Sequence, residues 1–233
     1  MPESLQVDAA EVIEGMIEHV FASVQQVRGL MLGCHRAALE RGQELTDRDV
    51  GGLAPAIQDV LAQPDQIAVG LGLILEPGLL GSHPLRIEWW QRSVADDHPV
   101  PLEVDLHPDS LGFYDYAATE WFAGPRRTRQ RHIMGPYVDV HGTGHYLLTL
   151  TMPVEADGVF LGVAGADVPM SRFETLVLRT LGPAREAVVV NNEGRIVLST
   201  SSRWITGSLL PQHAASRLQA IPELPWGLFD PVG

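Results

Sequence analysis

Two aspartates and three aromatic residues carry the most specific chemistry in the sequence. Asp139 and Asp167, with Tyr114, Trp121 and Tyr137, combine two anionic groups with the faces of three rings. Such a set offers ion pairing together with cation–π attraction to an ammonium withdrawn from water. Carboxylates buried together cost on the order of several kcal/mol unless a cation neutralises them. The alternative is structural: both aspartates end strands at hairpin turns, and the rings belong to the core.

Other chemistries fare less well. His132, Asp139, His141 and His145 lie close together in a chain of nine histidines, and a metal-dependent hydrolase built on them is the alternative of another class. The spacing matches neither the His-Glu-x-x-His helix nor a Cys/His pair, and exposed loop histidines account for it better, so no cofactor is expected. No Gly-x-Ser-x-Gly elbow or Gly-x-Gly-x-x-Gly turn is present, and no catalytic role is expected. All 16 basic residues are arginine. The absence of lysine excludes a P-loop or Schiff-base amine. A net charge of −13 argues against a nucleic-acid partner and suits a small cation.

The run Arg126, Arg127, Arg129, Arg131 reads as a solvated loop balanced by nearby carboxylates, with a partner contact or closure over an anion as alternatives. Cys34 falls in an apolar stripe and reads as a core residue. The N-terminus lacks a basic n-region, and the most apolar run, 67–75, is far short of the roughly 20 residues of a membrane span. A cytoplasmic chain without membrane contact is expected.

These side chains need a scaffold, and the apolar periodicity outlines one. Ile13, Ile17, Val20, Val24, Val27, Met31, Cys34 and Ala38 form one seam of a long helix over 8–41. The seam serves packing within the chain and pairing with a second copy, which would also cover Val12, Met16 and Leu30. A second helix is expected over 46–61, capped by Thr46. Short strands are expected at 67–75, 86–92, 102–106, 133–140, 145–153 and 158–168, the last three joined by hairpin turns into an antiparallel sheet. A helix over 171–181, a hairpin of 187–190 with 195–199, and a helical stretch over 214–220 complete the reading. Trp89 and Trp90 share a strand, so their rings face opposite sides. One could line a pocket, although core for one and interface for the other is the preferred assignment. Tyr116 is undecided between pocket and surface.

Tyr114-Asp-Tyr-Ala-Ala-Thr-Glu-Trp-Phe122, Gly135-Pro-Tyr-Val-Asp139, Thr149-Leu-Thr-Met-Pro153 and Gly162-Val-Ala-Gly-Ala-Asp-Val168 together resemble the Cache sensor family of PAS-like ligand-binding modules. The resemblance implies an α+β fold: a long N-terminal helix (1–45), a ligand-binding Cache module with an antiparallel sheet (46–182), and a reduced second Cache-like module (183–233). In members that bind amino acids, a tyrosine is followed five residues later by arginine, then a Trp-Tyr pair, a Tyr-x-Asp and a final Asp. Here those positions hold Tyr114, Thr119, Trp121, Phe122, Tyr137, Asp139 and Asp167, with Tyr116 beside them. Threonine replaces the arginine that clamps the ligand carboxylate, which removes a charge-assisted bidentate bond. The resemblance therefore implies a sensor for a small amine without a carboxylate, homodimeric through its first helix and coupled to a protein effector.

Overall fold

A computed structural model describes residues 8–81, 84–93, 97–140, 142, 144–182, 186–215 and 217–229. Helix α1 (Ala9–Glu40) is the long helix of the seam. Ile13, Ile17, Val20, Val24, Val27, Met31 and Ala38 are all buried, while Cys34 is only half-buried. The Asp8 carboxylate accepts from Ala10 N at its start, and Gly42, at a φ of 65°, turns the chain at its end. The chain divides into two compact units, Val20–Pro169 and the remainder, so α1 contributes to both.

The Val20–Pro169 unit is built on six antiparallel strands: β1 (Gly70–Leu75), β2 (Ile87–Arg92), β3 (Pro99–Pro101), β4 (His132–Val138), β5 (Tyr146–Ala156) and β6 (Val159–Pro169), ordered β3-β2-β1-β6-β5-β4. Being central, β1 is buried along its whole length. Strand alternation gives the sheet two unlike faces. Leu71, Leu73, Leu75, Ala164 and Ala166 point one way, and Gly70, Gly72, Ile74, Val163, Gly165 and Asp167 the other. The second face meets a core of Tyr114, Tyr116, Trp121, Phe122 and Phe160.

Three segments depart from the expected pattern. The helix expected over 46–61 is two helices, α2 (Asp47–Gly51) and α3 (Ala54–Leu61). Thr46 is the expected N-cap and forms a capping box with Asp49, but Pro55 opens a new first turn after Gly51-Gly52. Residues 102–106 are not a strand. The Asp105 carboxylate accepts from His107 N and the Ser110 hydroxyl, folding a local turn, while Leu102, Val104 and Leu106 pack on the aromatic core. After a 3-10 turn (Tyr116–Ala118), the chain forms α4 (Glu120–Thr128), with Pro125 inside it and the first two arginines of the run read as a loop in its last turn.

Helix α4 tolerates Pro125 for a specific reason. Proline cannot donate to the carbonyl four residues back, which is that of Trp121. The Thr151 hydroxyl of β5 donates to that carbonyl instead, at 2.8 Å. The arginines at its end are tied down. Arg126 pairs with Glu76, Arg127 with Glu120 at 2.8 Å and Arg129 with Glu155 at 3.5 Å, while the Arg131 guanidinium lies 4.8 Å from the centre of the Phe21 ring.

The other unit carries α5 (Met170–Leu181), β7 (Val188–Asn191), β8 (Ile196–Ser199), α6 (Gln212–Ala215), β9 (Gln219–Ala220) and β10 (Trp226–Phe229), its four strands ordered β8-β7-β10-β9. The β7–β8 hairpin turns where the Asn191 side chain accepts from the backbone of Glu193 and Arg195. Of the helix expected over 214–220 only Ala214 and Ala215 are helical, as the end of α6, and β9 pairs with β10. Phe173 packs against Trp226, and Val188, Ile196 and Phe229 lie in a small core.

Candidate ligand-binding site

A cavity opens on the second face of the six-stranded sheet. Its wall is Ile74, Ile87, Trp89, Leu102, Tyr114, Trp121, Tyr137, Asp139, Thr149 and Asp167. About 340 Å³ lies between these residues, the open mouth included, while only about 20 Å³ admits the centre of a water molecule. It is a narrow slot sized for small or flat ligands.

Sheet register sets the polar end. Asp167 of β6 sits between Gly70 of β1 and Thr149 of β5. The Thr149 hydroxyl donates to Asp167 Oδ1 at 2.7 Å and lies 2.9 Å from the Tyr137 hydroxyl. A hydroxyl has one proton to give, so when Asp167 is ionised Tyr137 donates to Thr149 and Thr149 to Asp167. The buried Asp167 is pushed up to about 7, chiefly by desolvation and further by the charge of Asp139, against the opposing Thr149 bond. Burial likewise raises Tyr114 and Tyr137, and the charges of Asp139 and Asp167 add to it. Both phenols therefore remain protonated and able to donate. Asp139 follows directly on β4, its backbone N–H bonded to His145 O at 3.0 Å, and is buried.

Tyr114 and Trp121 make the aromatic wall, their rings 6.5 Å apart and tilted by 38°. Trp121 is held from behind, because the Thr151 bond to its carbonyl fixes the first turn of α4 on β5. Of the eight expected site residues, the structure gathers Tyr114, Trp121, Tyr137, Asp139 and Asp167 on one cavity. Tyr116, Phe122 and Thr119 are not on its wall. Tyr116 is fully buried and donates to Leu75 O at 2.8 Å, which makes it a core tyrosine with a satisfied hydroxyl. Phe122 is fully buried between Tyr116 and Phe160, edge on to both. The Thr119 hydroxyl donates to Tyr116 O at 2.6 Å, closing the turn that enters α4.

Thr149 and Trp89 complete the wall. Thr149 follows from Asp167, since a residue directly across an antiparallel ladder shares its face. The Trp89 indole lies over glycines: a Cβ on Gly165 would stand 3.4 Å from its ring and one on Gly70 2.8 Å from its Nε1. The alternation of β2 sends Trp90 to the opposite side, where its indole donates to Glu88 at 2.8 Å. Among the described residues no three His, Cys, Asp or Glu side chains converge as metal ligands, and His141 of the sequence cluster lies outside them. No described helix is long and apolar enough to cross a membrane.

No protein-family model matches the chain. Over 129 residues it is 26% identical to the methyl-accepting chemotaxis protein TlpQ of Pseudomonas aeruginosa, a match spanning 52% of this chain and 18% of that protein's length. Among solved structures, the extracellular domain of the histidine kinase soHK1S-Z6 superposes with a TM-score of 0.66 at 15% identity, covering 95% of this chain and 88% of that one. The ligand-binding domain of the Campylobacter jejuni chemoreceptor Tlp3, solved with L-valine, gives 0.57 at 14% identity, with coverage of 95% and 94%. Methyl-accepting chemotaxis protein X gives 0.65 at 12%, covering 94% of each. The chain shares the fold of these extracellular kinase and chemoreceptor domains.

Proposed function

We propose that this domain senses a small amine that lacks a carboxylate and relays its occupancy to a protein effector. The observation that carries the reading is the charge of the cavity: two buried aspartates stand among four aromatic rings, and no described lining residue is basic. An ammonium between them offsets the cost of the buried carboxylate and gains cation–π attraction from Trp121 and the tyrosines. An α-carboxylate would enter the same slot without a cation to meet it. At the position where amino-acid-binding Cache domains carry arginine, Thr119 spends its hydroxyl on the backbone of Tyr116. The covered faces of α1 leave Val12, Met16 and Leu30 half-buried, and pairing with a second copy along this helix belongs to the same reading. Thermal denaturation against a panel of amines, amino acids and carboxylates tests it. An amine at a hundredfold excess over its Kd adds about 2.7 kcal/mol of stability. A panel in which only carboxylates stabilise the protein contradicts the proposal.

A further inference from the structure

Trp89 holds a donor that the fold does not use. The residue is 6% exposed, its ring lines the cavity, and its Nε1 has no hydrogen-bond partner among the described residues. A buried donor left without an acceptor costs on the order of 1–3 kcal/mol, so the group is expected to find one in the occupied site. Its position says which kind. The spot where a Gly70 side chain would begin is 2.8 Å from Trp89 Nε1 and 3.3 Å from Asp167 Oδ2, the carboxylate oxygen that Thr149 leaves free. That point belongs to the strand itself and holds no ligand atom, but it fixes the two groups within about 6 Å of each other, so one ligand atom above the strand can meet a donor on one side and an anionic acceptor on the other. An ammonium answers only the second, because it has no lone pair for the indole N–H. A hydroxyl answers both, accepting from Trp89 and donating to Asp167.

We propose that the cavity recognises an amino alcohol: the hydroxyl bridges Trp89 Nε1 and Asp167 Oδ2, and the ammonium lies toward Asp139 and the faces of Tyr114, Trp121 and Tyr137. This rests on the amine reading and narrows it. The absence of side chains at Gly70 and Gly165 lets the indole lie close to the sheet, with its nitrogen beside Asp167. Trp89 is thus a specificity residue, selecting for an acceptor on the ligand rather than for its charge.

Titration calorimetry with isosteric pairs tests the inference: ethanolamine against propylamine, and 3-aminopropan-1-ol against butylamine. Each pair exchanges a hydroxyl for a methyl and keeps the ammonium. The wild-type protein is expected to bind the better-fitting amino alcohol at least about tenfold more tightly than its alkyl partner. Trp89→Phe, which removes the N–H and keeps an aromatic ring, is expected to bring the pair within about threefold while still binding the alkylamine. Gly70→Ala, with a methyl 2.8 Å from the indole nitrogen, is expected to lose the same preference. Equal affinities within both pairs for the wild-type protein overturn the proposal and leave the amine reading standing. Failure of all four amines to bind overturns both. The wild-type comparison needs no variant, so a Trp89→Phe protein that fails to melt cooperatively does not protect the inference.

Discussion

Replacing Asp167 with asparagine should make the ligand-free protein more stable at alkaline pH and impair its binding. Asparagine keeps the shape of the side chain and an oxygen for the Thr149 hydroxyl, so the change is one of charge. Burial raises the Asp167 carboxyl from an ordinary 3.8 to about 7, and each pH unit of that displacement corresponds to about 1.4 kcal/mol. The folded state thus disfavours the ionised carboxylate by about 4 kcal/mol. The sign follows from linkage: a group whose acidity is weakened by folding holds its proton in the native chain after the unfolded chain has released it. Its contribution is intact below about pH 4 and is lost as the pH rises through 7. Wild type and Asp167→Asn should therefore have similar urea midpoints at pH 4 after allowance for the other carboxylates, and the variant should be ahead by up to about 4 kcal/mol at pH 8. A saturating amine should close the gap by stabilising only the wild type. The amine should weaken by roughly 2–5 kcal/mol in the variant. In the wild type its affinity should fall about tenfold per unit below pH 7, with a proton released on binding near pH 6. A variant less stable than wild type at pH 8, or one that binds the amine unchanged, would refute this assignment of Asp167.

Thr151→Val leaves the Trp121 carbonyl of α4 without the donor that stands in for Pro125. A loss of about 1–3 kcal/mol in urea denaturation, with weaker amine binding through a displaced Trp121, is expected, and wild-type values for both would show that the bond is incidental. Thr119→Arg introduces the cation found in amino-acid-binding Cache domains, and competition assays should show a shift of roughly tenfold or more toward α-amino acids. No change in preference would place residue 119 out of reach of the ligand. Sedimentation velocity at micromolar concentration should show a homodimer. A strict monomer with and without amine would leave the α1 seam to intrachain packing.

The parts of this fold that were legible in the sequence are those whose pattern is local. The α1 seam keeps one spacing for its whole length, and the hairpins of β4, β5 and β6 are marked by turn residues between runs of apolar and threonine side chains. Asp139 and Asp167 could be picked out because they keep a spacing relative to Tyr114, Trp121 and Tyr137. Helix α4 was hidden because Pro125 and the arginines read as a break, and the group that repairs the break, Thr151, belongs to a strand far along the chain. Leu102, Val104 and Leu106 alternate as a strand does, yet the Asp105 turn bends the segment away from the ladder and the leucines pack on the rings. Parity alone could not choose between Trp89 and Trp90. The choice depends on Gly70, Gly72 and Gly165, which vacate one face of β1 and β6 beside them.

The central claim is that the cavity selects an amine over the α-amino acid that carries the same amine. Calorimetric titration of ethanolamine against L-serine, and of isobutylamine against L-valine, measures it directly, since each pair differs by one carboxylate. The account predicts that the amine binds at least about tenfold more tightly than its amino acid, because the added carboxylate approaches Asp139 and Asp167 with no arginine to receive it. Tighter binding of L-serine or L-valine than of the matching amine would contradict it.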